Sequence, residues 1–149
     1  MNSNAPKMAE IEIKLPSDPK YLKIIRSSIA HIGEMCSLTE EEGNQVTLAV
    51  DEAVANIIKH TYHGVTDKII YVTFRIDSER LEVVLRDFGK KVDPDKIKPR
   101  ALDDIRPGGL GVHLIKSTMD EVLYDNSSKV GNKLTLAKYL ARGKEEKNA

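Results

Sequence analysis

Val50-Asp51-Glu52-Ala53-Val54-Ala55-Asn56 is the stretch on which the reading of this 149-residue chain turns. Val46, Val50, Ala53, Val54 and Ile57 recur at helical spacing, so the segment is an amphipathic helix with one apolar stripe. Glu52 and Asn56 stand one turn apart at the border of that stripe, where a side chain can face a cleft and both can act on one ligand. A carboxamide oxygen is a hard donor suited to Mg²⁺, an ion that keeps waters and substrate phosphates in its other positions. A carboxylate one turn away can accept a proton from an attacking hydroxyl. Taken alone, Glu-x-x-x-Asn is more often a solvated helix flank. The segments downstream give it meaning.

Leu81, Val83 and Leu85 alternate in a strand, and Asp87 continues the alternation toward the face they bury. A carboxylate there needs a donor; the exocyclic amine of adenine is one, and Gly89 would let the base approach the backbone. The alternative is that the strand ends at Leu85 and Asp87 caps a turn. Further on, Gly108-Gly109-Leu110-Gly111 precedes a helix through Leu114, Ile115 and Met119, whose free N–H groups and positive dipole end favour phosphate. A glycine-rich turn that merely packs a helix reads the same way. The segment has neither the Lys-Ser/Thr of a P-loop nor the spacing of a dinucleotide fingerprint. In this order the three segments form a set able to hold a metal-nucleotide.

The remaining elements fit around this set. Ile11, Ile13 and Leu15 alternate as a half-buried strand. Asp18-Pro19 opens a helix carrying Leu22, Ile25, Ile29 and Ile32 to about Gly33. Thr39 with Glu42 is a capping box for the second helix, which runs to about His60. Ile70, Val72, Phe74 and Ile76 form a hairpin with the strand of Leu81 to Leu85. Residues 90 to 107, rich in Lys, Arg and Asp and with three prolines, read as a long loop. As a lid, that loop would bring Lys96, Lys98, Arg100 or Arg106 to phosphates. Val122 to Asp125 and Leu134 to Leu140 close the chain as a second hairpin. The expected fold is a single α+β domain over 1–149, with a core of about 10–140: a two-layer sandwich of a mostly antiparallel sheet with helices on one face.

Composition excludes several function classes. The 23 basic and 23 acidic side chains balance, so no global field draws the chain to nucleic acid or to an anionic membrane. No apolar run is long enough to span a bilayer, and the polar N-terminus has no signal-peptide core, which makes the cytoplasm the expected location. Cys36 is the sole cysteine and reads as a small buried apolar group. His31, His60, His63 and His113 are too scattered for a metal site.

Asp51-Glu52-Ala53-Val54-Ala55-Asn56, Arg86-Asp87-Phe88-Gly89, Gly108-Gly109-Leu110-Gly111, Met119-Asp120-Glu121-Val122 and Gly131-Asn132-Lys133-Leu134-Thr135-Leu136 together resemble the bacterial anti-sigma-factor serine kinases. These belong to the GHKL ATPase superfamily, with its Bergerat fold. The resemblance implies ATP or ADP with Mg²⁺ as ligands, Glu52 as the base acting on a protein serine, Asn56 as the Mg²⁺ ligand, and Asp87 with Gly89 as the adenine reader. It further places Gly109, Leu110 and Gly111 against the phosphates and implies that Thr135 helps to hold the adenine. Its implied partners are a STAS-domain anti-anti-sigma protein, a sigma factor and a second copy of the chain. The sequence departs from a common Asp-x-Gly-x-Gly form by placing Lys91 at the second glycine. A non-catalytic, nucleotide-dependent partner-switching module of the same fold is the alternative reading.

Overall fold

A computed structural model describes residues 8–91 and 109–141. Its sheet has five antiparallel strands: β1 (Ala9–Pro16), β2 (Ile69–Ile76), β3 (Arg80–Asp87), β4 (Glu121–Asp125) and β5 (Asn132–Tyr139). Their spatial order is β1-β2-β3-β5-β4, so the last strand enters the sheet beside β3 and leaves β4 at the edge. The described residues also form three α-helices: α1 (Leu22–Met35), α2 (Glu40–Asn56) and α3 (Gly109–Thr118). They form the second layer of an α+β sandwich.

Local chemistry explains the boundaries. Thr39 Oγ1 accepts the Glu42 backbone N–H while the Glu42 carboxylate accepts that of Thr39, a complete capping box at the start of α2. Asp18 caps a single 3₁₀ turn, Pro19–Tyr21, that feeds α1. The alternation of β2 and β3 buries Ile70, Val72, Phe74, Leu81, Val83 and Leu85 against Ile25, Ile29, Val46, Val50 and Val54 of the helices. Burying each of these side chains contributes about 1.5–3 kcal/mol, which fixes the register, since a one-residue slip would turn the whole set to solvent. β1 departs from the half-buried strand expected of it. Leu15 is buried in the core, Ile13 packs partly against it, and Ile11 is exposed, so burial declines along this edge strand toward its start.

The helix expected to run to His60 changes form earlier. It is α-helical to Asn56 and continues as a π turn, Ile57–Thr61, ending at Tyr62. This terminal π turn begins at the residue after Asn56.

Candidate functional site

Glu52 and Asn56 are both half-buried beside the stripe of Val46, Val50, Ala53 and Val54. The two adjacent carboxylates differ in employment. Asp51 accepts Arg26 Nε of α1 at 2.9 and 3.1 Å, a partly exposed pair that contributes at most about 1 kcal/mol. Among the described residues, no hydrogen bond or ion pair engages Glu52 or the Asn56 carboxamide. The pair one turn apart is therefore open to a ligand, and Asp51 is not.

The π turn joins this end of α2 to the end of β3. Tyr62, 6% exposed, donates its hydroxyl to Ile69 O at 2.6 Å and accepts the Phe88 backbone N–H at 2.7 Å. Burial pushes the Tyr62 hydroxyl up from its usual value, so it keeps the proton that the first bond needs. Gly89 lies against the same turn, and a Cβ there would come 2.2 Å from Thr61 Cγ2. Glycine is thus required by close packing on protein. Neither the π turn nor Tyr62 is evident from sequence, because Ile57 and Ile58 continue the apolar pattern through it; the nearest signal is the turn at His63-Gly64, both with positive φ.

Asp87 is 3% exposed and is the last residue of β3, so the strand runs past Leu85, while its side chain also caps the turn that follows. Its Oδ1 accepts the Gly89 backbone N–H and Asn132 Nδ2, each at 3.0 Å. The donor that a buried carboxylate needs is thus supplied first by the protein. Burial pushes the Asp87 carboxyl above its usual value, opposed by the Asn132 and Gly89 donors and the Arg86 charge. Gly131, at φ +79°, lets β5 begin this close: a Cβ there would lie 2.0 Å from Asp87 O. Gly131 and Asn132 have no role evident from sequence beyond a glycine immediately before a strand.

Thr135 is not part of this cluster, and its implied place at the adenine is corrected by the strand register. It pairs with Val84 and with Leu123, whereas Asp87 pairs with Asn132 and Leu85 with Leu134. Directly paired residues share a face, so Thr135 points to the side opposite Asp87, where Val84, Arg86 and Lys133 line a separate groove with Glu10 and Glu12.

α3 opens at Gly109, placing Gly109, Leu110 and Gly111 in its first turn, whose N–H groups have no partner within the helix. α3 packs on α2. Gly108 and the candidate lid cations Lys96, Lys98, Arg100 and Arg106 lie outside the described residues. Lys91, in the place of the family's second glycine, donates to Asn126 O at 2.7 Å and so ties the chain leaving β3 to the turn between β4 and β5. His31, His60 and His63 are exposed, and no group of three or more His, Cys, Asp or Glu that would suit a metal gathers among the described residues. Cys36 is half-buried, and burial pushes its thiol up, as expected of an inert side chain.

The family model for the histidine kinase-like ATPase domain matches residues 15–138. Serine-protein kinase RsbW of Bacillus subtilis is 31% identical over 138 residues, covering 87% of this chain and 85% of its own. RsbW of Staphylococcus aureus is 29% identical over 147 residues, covering 93% and 91%. Among solved structures, the RsbU and RsbW domains of a Mycobacterium tuberculosis protein superpose with a TM-score of 0.64 at 15% identity, over 89% of this chain and 32% of theirs. A histidine kinase domain from Erythrobacter litoralis superposes at 0.54 with 18% identity, over 87% and 64%. At those identities the structures speak for the fold, and the sequence matches carry the family. The chain belongs to the histidine kinase-like ATPase domain family and, within it, groups with the serine-protein kinases.

Proposed function

We propose that the chain is an ATP-dependent serine-protein kinase that phosphorylates a STAS-domain protein and, as a cytoplasmic homodimer, also sequesters a sigma factor. The observation that carries the reading is the junction of the π turn with the end of β3. It joins a buried, donor-held carboxylate, Asp87, to the end of the helix that carries Glu52 and Asn56, neither of which is engaged by another described residue. The relatives named serine-protein kinase support the same reaction.

Asp87 would accept the exocyclic amine of adenine; a carboxylate has about four lone-pair sites, and the donors from Gly89 and Asn132 leave room for one from the base. The first-turn N–H groups of α3 would take phosphate oxygens. Asn56 fits a Mg²⁺ ligand, since its carboxamide oxygen has no other employment among the described residues; the ion, when bound, supplies neutralisation of phosphate charge. In the transfer, the serine Oγ forms a bond to the γ-phosphorus, the bond from that phosphorus to the β–γ bridging oxygen breaks, and ADP leaves. Glu52 receives the serine hydroxyl proton.

Nucleotide selectivity tests the adenine reading. GTP presents a carbonyl where ATP presents an amine, and loss of one charge-assisted hydrogen bond costs about 1.5–3 kcal/mol, so calorimetry should find GTP binding at least about ten-fold weaker. Equal affinities would remove Asp87 from the site. The acid limb follows from the raised Asp87 carboxyl. Its folded value lies above the unfolded one, so the folded state takes up the proton first. Asp87 therefore costs stability at high pH, and that cost is relieved as pH falls through its folded value. ATP affinity moves the opposite way, because the amine needs the carboxylate. It should fall at a pH above the ordinary Asp range, and Asp87→Asn should lack this limb.

A further inference from the structure

We infer that Asn132 is a positioning residue for nucleotide recognition: its carboxamide sets the orientation of the Asp87 carboxylate and fixes the chain leaving β3 to it. The inference rests on the reading of Asp87 as the adenine acceptor. Asn132 lies directly opposite Asp87 in the β3–β5 ladder, on the same face. Its Nδ2 donates to Asp87 Oδ1 at 3.0 Å and to Lys90 O at 3.0 Å. A carboxamide nitrogen carries two hydrogens, so both are employed, and two acceptor neighbours fix which way the amide points. One planar group thus joins the carboxylate, which the Gly89 N–H also holds, to the backbone three residues beyond it.

The residue type suits this task. A lysine or arginine at 132 would hold Asp87 as firmly, but its positive charge would neutralise the carboxylate and compete with a ligand amine. A carboxamide orients the acid and leaves its negative charge for the ligand. The other charged or titratable groups acting on Asp87 are Arg86 on its own strand and Tyr62 from the π turn. Neither donates to the Asp87 side chain; Tyr62 is occupied with Ile69 and Phe88, and the Arg86 Nη1 donates to Ser128. The approach of β5 at Gly131, where no Cβ fits, is what lets Asn132 reach its position.

Purified full-length wild type, Asn132→Ala and the swap Asp87→Asn with Asn132→Asp should be titrated with Mg-ATP and Mg-GTP across pH, with thermal unfolding measured in parallel. Asn132→Ala should bind ATP about ten-fold more weakly, lose most of its preference over GTP, and show its acid limb at higher pH, since Asp87 loses a donor that lowers its pKa. A merely structural role would move the unfolding temperature but not that limb. The swap keeps an amide–carboxylate pair across the strands, so it should fold even if Asn132→Ala does not, and still lack the ATP preference. Wild-type affinity, nucleotide preference and pH limb in Asn132→Ala would overturn the assignment, as would a swap that prefers ATP like the wild type. If the wild type itself binds GTP as well as ATP, the failure lies with the adenine reading.

Discussion

Glu52→Gln should bind Mg-ATP with nearly wild-type affinity and transfer phosphate to serine about 10²–10⁴-fold more slowly, the usual contribution of general acid–base catalysis. The substitution keeps the shape of the side chain and removes only the proton acceptor. Asp51 is a poor substitute for it, because adjacent residues of a helix point about 100° apart and its carboxylate meets Arg26 on the α1 side. Calorimetry with single-turnover transfer separates the two steps. Wild-type transfer in this variant would make Glu52 a solvated helix residue and leave the proton without its acceptor. Sigma-factor binding, which needs no chemistry, should survive the change.

Asn56→Ala should behave differently, losing tight Mg-ATP binding and transfer together. Removing a second-shell group commonly weakens metal affinity by about 10–100-fold, so loss of the ligand itself should cost at least the upper end of that range. The contrast with Glu52→Gln is the informative part: one variant separates binding from chemistry and the other does not. Titration of nucleotide with and without Mg²⁺ provides the check. If Mg²⁺ enhances ATP binding in Asn56→Ala as strongly as in wild type, the metal is held elsewhere. Asn56 immediately precedes the π turn, so the unfolding temperature of the variant should accompany the titration.

The parts of the fold set by local chemistry were legible. The capping box at Thr39 and Glu42, the alternation of Ile70 to Ile76 and of Leu81 to Leu85, and the stripe from Val46 to Ile57 all reflect interactions within a few residues, and each is observed. The burial of Asp87 followed from the same alternation. What escaped depends on contacts between distant segments. The π turn is invisible to periodicity, because Ile57 and Ile58 are apolar in either helical form, and its purpose appears only when Tyr62 meets Phe88. Asn132 acquires its role from the register that sets it opposite Asp87, 45 positions away.

Thr135 teaches a different lesson. Its place near adenine came from resemblance alone, while the buried pair Leu134 and Leu136 on either side already implied that it faces the other way. Strand parity is a physical constraint that resemblance does not override. By that constraint, β5 contributes Asn132 to the Asp87 face and Thr135 to the opposite face, with its partner Val84.

Phosphoryl transfer itself is the most direct test. The purified chain should be incubated with Mg²⁺ and γ-labelled ATP together with a STAS-domain protein that co-purifies with it, and the products mapped by mass spectrometry. Label is expected on a serine of the STAS-domain protein, dependent on Mg²⁺, much reduced with GTP and nearly abolished by Glu52→Gln. A chain that binds ATP tightly and places no phosphate on that partner would contradict the kinase assignment and leave the partner-switching module as the function of this fold.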